Sequence, residues 1–164
     1  MAISTSNSSR ERTTPMAYYG SLAVFLALVF AAASSGAIFQ TGAWYEQLNK
    51  PEWTPPNWVF PVAWSVMYLM IAIAGWFAWR AGGMSLAIVI WGVGLLLNAL
   101  WSYVMFGRHD ITLALVDVVG LWLATAAFIV AAWGLDQRAA YLFMPYLAWV
   151  TFAGALNLAV WRMN

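Results

Sequence analysis

Residues 44–61 read WYEQLNKPEWTPPNWVFP, and this stretch of three tryptophans and four prolines separates two long apolar runs. Each proline fixes its own φ, lacks a backbone N–H and favours extended geometry in the residue before it, so the stretch is predicted to be a rigid loop. An indole combines a large apolar face with one N–H donor, and such a loop could form a lid over a bundle of helices. Composition alone favours the alternative, that the loop belongs to the aromatic belt at headgroup level.

The composition places the chain in a bilayer. Hydrophobic residues make up 64% of the sequence, charged residues make up 8%, and the mean hydropathy is +0.75, values outside those of soluble domains. Seven basic residues balance six acidic ones without a basic run, which excludes a nucleic-acid partner. Cysteine is absent and His109 is the single histidine, so we expect no disulfide, no Cys nucleophile and no metal centre.

Five apolar runs are each long enough to cross the about 30 Å of hydrocarbon in a membrane. The sequence therefore predicts an all-α fold, an integral membrane bundle of five transmembrane helices. The predicted helices span 18–39, 58–80, 84–106, 111–134 and 140–161, with a lid loop at 40–57. Residues 1–16 are rich in Ser and Thr and carry no apolar run, so we expect a disordered tail before a single domain at 17–164.

Two polar residues stand out within these apolar runs. Asn98 lies in the third predicted helix, and a buried amide in hydrocarbon needs partners from another helix or from a ligand. Asp117 lies in the fourth, and ionisable residues in membrane helices are costly and usually face the bundle interior or water. Each residue is therefore either a binding group or a structural hydrogen-bonding group.

The fifth predicted helix carries a polar and aromatic stripe. A spacing of i, i+3, i+7 and i+11 places four residues on one helical face, which we expect to point at other helices. These residues are Tyr146, Trp149, Ala153 and Asn157. Pro145 is expected to kink this helix or to delay its start.

Several of these residues form a recognisable pattern. The pattern comprises Trp44-Tyr45, Lys50-Pro51, Trp53, Pro55-Pro56, Trp58-Val59, Pro61, Trp64, Asn98, Trp101-Ser102, Ala114-Leu115-Val116-Asp117, Pro145-Tyr146-Leu147-Ala148-Trp149, Leu156-Asn157 and Val160-Trp161-Arg162. It resembles the TspO/MBR family, which includes the tryptophan-rich sensory proteins of bacteria and the mitochondrial translocator protein, also called the peripheral-type benzodiazepine receptor. The resemblance covers residues 18–164.

The resemblance implies a homodimer in the lipid bilayer of a bacterial cell envelope, with a pocket covered by the loop between the first two transmembrane helices. Implied ligands are porphyrins such as protoporphyrin IX and haem, sterols and benzodiazepine-type compounds; no cofactor is obligatory. The implied ligand-binding residues are Trp44, Tyr45, Trp64, Asn98, Asp117, Trp149 and Ala153. Asn98 and the stripe on the fifth helix also stand out without the resemblance, which favours a pocket over an aromatic belt.

The implied function is that of a tetrapyrrole-binding sensor or regulator. One alternative is an enzyme that degrades porphyrins in light and oxygen, in which Trp64 and Trp149 would be the catalytic residues. Another is a transporter of porphyrin, sterol or lipid. A sterol is the less favoured ligand, because the sterol motif proposed near Arg162 requires a tyrosine that residues 158–162 lack.

Overall fold

The computed structural model describes residues 15–164, with side chains described from Tyr19 onward. The tail predicted at 1–16 lies outside these residues apart from its last two, where the first helix begins. The helices are α1 (Pro15–Ile38), α2 (Ala43–Gln47), α3 (Val59–Gly82), α4 (Leu86–Ser102), α5 (Ile111–Trp133) and α6 (Gln137–Met163). All except α2 are long and apolar enough to cross a membrane, which confirms the predicted five-helix all-α fold.

The five long helices form a ring. Helix α1 packs against α3 and α4, α3 packs against α6, and α5 lies between α4 and α6. The end of the ring that lies away from the 39–58 connection is filled by large buried side chains. These include Phe25, Trp76, Trp91, Phe128 and Phe143. We call this the closed end, and the opposite end, beneath the 39–58 connection, the lid end.

The connection predicted as a loop at 40–57 contains the short helix α2. This helix forms in the part of the stretch that has no proline, and the ammonium group of Lys50 satisfies its last carbonyls. Lys50 Nζ donates to the carbonyl oxygens of Tyr45 at 2.6 Å, Glu46 at 3.2 Å and Leu48 at 3.0 Å. Cations stabilise helix C-termini in this way, because the last carbonyls of a helix have no partner within it.

Helix α6 begins at Gln137, three residues before the predicted start, because Asp136 caps it. The Asp136 carboxylate accepts a hydrogen bond from the Arg138 backbone N–H at 2.9 Å and another from the Arg138 guanidinium at 2.7 Å. The bond from the Arg138 side chain lowers the pKa of Asp136 below its usual value. Pro145 lies inside the helix and does not delay its start, in keeping with the tolerance of membrane helices for proline.

Several other helix ends also differ from the prediction, and two of them have a local cause. Helix α3 continues to Gly82 and is terminated by Gly83, whose φ of 56° suits glycine and whose N–H donates to the Trp79 carbonyl at 2.7 Å. Helix α4 changes after Ser102 into a π-helical turn at Tyr103–Gly107. Such turns are rare and are frequent at functional sites, and this one lies at the lid end.

Gly75 provides a test of packing at the closed end. A Cβ atom at this position would lie 2.6 Å from the Trp91 ring and 2.9 Å from the Phe25 ring. Trp91 cannot easily move aside, because its Nε1 donates to the Ile71 carbonyl at 2.9 Å. We therefore expect Gly75→Ala to destabilise the fold by about 1–3 kcal/mol, measured as thermal unfolding in detergent. Gly92→Ala is the control, since its Cβ meets open space; equal stability of the two variants would contradict this packing.

Asp136 provides a test by pH. Because its pKa is lowered in the folded protein, the charged carboxylate contributes stability that is complete above its usual pKa of 3.8 and is lost as the pH falls through the lower folded value. Asp136→Asn keeps an acceptor for the cap but removes the charge. We expect the parent to unfold at a higher temperature than this variant near pH 7, and the difference to shrink as the pH falls below 3.8. A difference independent of pH would contradict this account.

Candidate functional site

A cavity of about 630 Å³ lies inside the ring at the lid end. This volume falls within the about 300–1,000 Å³ of pockets that bind small molecules. Its walls are mainly aromatic and aliphatic, with contributions from every long helix and from α2. The aromatic wall residues are Phe39, Tyr45, Phe60, Trp64, Tyr68, Trp101, Phe106 and Trp149.

Two indoles form a corner in the cavity wall. The ring centroids of Trp64 and Trp149 are 6.1 Å apart, and the ring planes meet at 87°. Tyr68 stacks on Trp64, with ring centroids 5.5 Å apart and ring planes 28° apart. The Trp149 Nε1 atom is buried and has no hydrogen-bond partner within the described part of the chain.

Asn98 forms the polar floor of the cavity. Its side chain is 3% exposed, its Oδ1 accepts a hydrogen bond from the Tyr68 hydroxyl at 3.1 Å, and its Nδ2 donates to the Tyr146 hydroxyl at 3.0 Å. These bonds join α3, α4 and α6. Asn98 therefore has the helix partners that the sequence required, and it also lies on the cavity wall.

A second polar link lies closer to the lid. Trp101 Nε1 donates to Asn157 Oδ1 at 3.1 Å, and Asn157 Nδ2 donates to the Ile111 carbonyl at 3.3 Å. This link joins α4, α5 and α6, and both Trp101 and Asn157 line the cavity.

The segment containing α2 covers the cavity, and we call residues 39–58 the lid. Tyr45 lines the cavity from above and meets the Phe106 ring edge-on at 5.4 Å. Burial raises the pKa of Tyr45 above its usual value. The lid is also fastened to the end of α6, since Asn49 N–H donates to Asn164 Oδ1 at 3.0 Å and Asn164 Nδ2 donates to the Asn49 carbonyl at 3.0 Å.

The structure brings five of the seven predicted ligand-binding residues to the cavity wall. They are Tyr45, Trp64, Asn98, Trp149 and Ala153. Trp44 does not line the cavity but stacks on His109, with ring centroids 4.3 Å apart and planes 12° apart. Successive side chains of a helix point about 100° apart, so Trp44 and Tyr45 cannot both face the cavity from α2.

Asp117 is the other predicted residue that lies off the cavity wall. Its side chain is 7% exposed, and neither carboxyl oxygen has a hydrogen-bond partner among residues 15–164. Val118 and Leu121 on the same helix line the cavity, whereas Asp117 is buried and is not among the wall residues.

The predicted set omitted cavity residues that the sequence pattern could have supplied. Tyr68 lies one turn after Trp64 on the same face of α3, and Asn157 belongs to the stripe on α6. Trp101 lies three residues after Asn98 on α4, which is also one turn. Helical periodicity was thus a sufficient signal for all three residues.

Comparison with known proteins agrees with this architecture. The sequence profile of the TspO/MBR family matches residues 23–162. Protein CrtK of Rhodobacter capsulatus is 42% identical over 87% of this chain and 91% of its own length. The tryptophan-rich sensory protein of Cereibacter sphaeroides is 40% identical over 85% of this chain and 89% of its own.

A more distant relative extends the match beyond bacteria. The human translocator protein is 37% identical over 74% of this chain and 75% of its own length. The family profile spans most of the residues that form the five long helices and the lid. The chain therefore belongs to the TspO/MBR family, and it is a multi-pass integral protein of a bacterial membrane.

Proposed function

We propose that this protein binds a porphyrin-type tetrapyrrole, such as protoporphyrin IX or haem, in the cavity beneath the lid and serves as a membrane sensor or regulator for it. The observation that carries the proposal is the aromatic cavity of about 630 Å³ with the Trp64–Trp149 corner in its wall. Relatives bear the names tryptophan-rich sensory protein and translocator protein. The homodimer that the family resemblance implies stays a prediction.

The shape and chemistry of the cavity suit a flat apolar macrocycle. Aromatic rings prefer offset-stacked or edge-to-face contacts, and the 87° corner offers one indole for stacking while the other meets the ligand edge. Few polar groups are needed to orient a ligand in an apolar pocket. Asn98 and Asn157 supply such groups, one on the floor and one nearer the lid.

The unpaired N–H of Trp149 also supports a ligand with a hydrogen-bond acceptor. A buried donor without an acceptor costs about 1–3 kcal/mol, and Trp149 Nε1 is such a donor. A small rotation of the indole toward an acceptor on the ligand would remove this cost. A tetrapyrrole with carboxylate side chains carries such acceptors.

Quenching of tryptophan fluorescence by protoporphyrin IX tests the proposal. With correction for inner-filter absorption, we expect saturable quenching in detergent by the parent protein. Trp149→Phe removes the N–H and part of the stacking surface, and Asn98→Ala removes the polar floor. Each change should weaken affinity about tenfold, corresponding to about 1.4 kcal/mol.

The matched control is Trp133→Phe, because Trp133 lies on α5, packs edge-on against Tyr141 and does not line the cavity. This variant should bind as the parent does. Quenching that rises linearly and is the same in all four proteins would mean nonspecific partitioning, and the tetrapyrrole proposal would be wrong.

A second candidate function is degradation of the bound porphyrin in light and oxygen. It is favoured by the row of neighbouring rings at the cavity wall, in which Trp149 lies 6.1 Å from Trp64 and Trp64 lies 5.5 Å from Tyr68. In such a reaction light excites the macrocycle and an indole gives it one electron, which the macrocycle passes to dioxygen to form superoxide. The indole radical cation then takes one electron from the macrocycle and is restored, and the oxidised macrocycle combines with superoxide to give the oxygenated product. Electron-rich rings in contact with the ligand are the groups that this step needs.

Illumination of the protein with protoporphyrin IX in air tests this candidate. Because Trp64 and Trp149 are the proposed electron donors, replacing both with Phe should slow product formation more than it lowers ligand occupancy. Samples kept in the dark or under nitrogen should form no product. Product formation at an unchanged rate per bound porphyrin in the double variant would rule out this role for the two indoles.

A further inference from the structure

The cavity is covered by the lid but open on one side. Most residues of its wall are buried or half-buried, including every wall residue from α4, the π-helical turn, α5 and α6. The exposed wall residues all lie at the end of α1, in the lid, or in the first two turns of α3. They are Gly36, Ala37, Gln40, Thr41, Asn57, Pro61 and Ser65. We call this opening between α1 and α3 the lateral mouth.

A wall residue can be exposed because it faces the cavity or because the cavity opens to the surface of the protein beside it. For these residues the second cause applies. Three alanines that line the same cavity allow the comparison. Ala33 and Ala153 are half-buried, whereas Ala37, one turn beyond Ala33 toward the lid, is exposed. The wall is therefore complete at Ala33 and open at Ala37.

Contacts along α1 explain why the opening lies on its α3 side. At the closed end α1 contacts both neighbours, since Trp76 Nε1 of α3 donates to Ser21 Oγ at 3.0 Å and Phe25 packs against Trp79 of α3 and Trp91 of α4 with ring centroids 6.3 Å and 5.0 Å apart. At the lid end the hydrogen bond from α1 goes to α4, since Ser35 Oγ donates to the Ala99 carbonyl at 2.5 Å. Helix α1 thus leans toward α4 at the lid end, which leaves the gap toward α3.

The depth of the lateral mouth matches the outer part of one leaflet. At about 1.5 Å per residue, Ser65 lies about 9 Å below the start of α3, whose whole length is about 36 Å. The hydrocarbon core is about 30 Å thick, so the mouth lies where headgroups meet acyl chains. Gln40, Thr41 and Asn57 give its upper rim polar groups, while Ala37 and Pro61 make its lower part apolar.

We infer that the lateral mouth is the entrance for the ligand, and that it admits an amphiphile directly from the lid-side leaflet. The apolar body of the ligand passes between Ala37 and the start of α3 to reach Trp64, and its polar end stays at the rim. The lid need not open, which agrees with the bonds that fasten it to α6. The nature of the ligand rests on the function proposed above, but the route rests on the geometry alone.

A large side chain at the mouth tests the inference. Ala37→Trp should obstruct the mouth, and the matched control is Ala31→Trp, because Ala31 is exposed on the same helix and does not line the cavity. In lipid nanodiscs we expect Ala37→Trp to slow both association and dissociation of protoporphyrin IX about tenfold or more, since both steps pass the same constriction, with Kd changed less than either rate. Ala31→Trp should leave both rates unchanged.

A second readout needs no porphyrin. The chain has no cysteine, so Ala153→Cys would place a single thiol on the far wall of the cavity. We expect a maleimide tethered to a phospholipid to label this thiol in nanodiscs. Adding Ala37→Trp should slow the labelling about tenfold, and adding Ala31→Trp should not.

The two readouts separate the route from the ligand. Equal labelling rates with Trp at position 37 and at position 31 would overturn the lateral entrance, independently of the rates measured for protoporphyrin IX. Labelling that is slowed by Ala37→Trp and not by Ala31→Trp, together with no saturable porphyrin binding, would instead contradict the proposed function and leave the entrance supported. Faster dissociation of protoporphyrin IX from Ala37→Trp without slower association would also count against the entrance. It would show that the substitution weakens the pocket but does not obstruct the route into it.

Discussion

The hydrogen bonds of Asn98 are the interaction on which the rest of the structure depends. In hydrocarbon an amide without partners is costly, and no water is at hand to replace them. Asn98 finds its partners in Tyr68 and Tyr146, which fixes α3 and α6 relative to α4 at one level of the bundle. Below this level aromatic side chains fill the ring, and above it the ring encloses the cavity.

The cavity persists because the residues that could fill it are small or are held elsewhere. Among its described side chains, helix α1 contributes only the small residues Ala33, Gly36 and Ala37 to the wall, and α6 contributes Ala153. The large side chains nearby are tied to the wall itself, as Trp101 is by its hydrogen bond to Asn157. The result is a hollow with rigid aromatic surfaces, which suits recognition of a flat ligand better than a hollow lined by flexible chains.

The helices could be predicted from sequence because each apolar run must satisfy its own backbone in the bilayer. Their ends were less predictable, since capping groups such as Asp136 and Lys50 set them. Residues of the site on long helices, such as Trp64 and Trp149, followed from periodicity and from the family resemblance. Trp44 and Asp117 were implied by the same resemblance but are not among the wall residues, because packing between elements decides which side chains of α2 and α5 reach the cavity. The lateral mouth depends on the lean of α1, which no local pattern encodes.

The proposed function requires a tetrapyrrole to bind against the indoles of the cavity. The most direct test is a spectrum of the ¹⁵N-labelled indole N–H groups with and without protoporphyrin IX, because the ring current of the macrocycle shifts nearby protons. We expect large shifts for Trp64, Trp101 and Trp149, which line the cavity, and small shifts for Trp76 and Trp133, which do not. Shifts confined to Trp53 and Trp58, which are 51% and 67% exposed on the lid, would contradict it and would identify the tryptophan-rich loop as an interfacial belt.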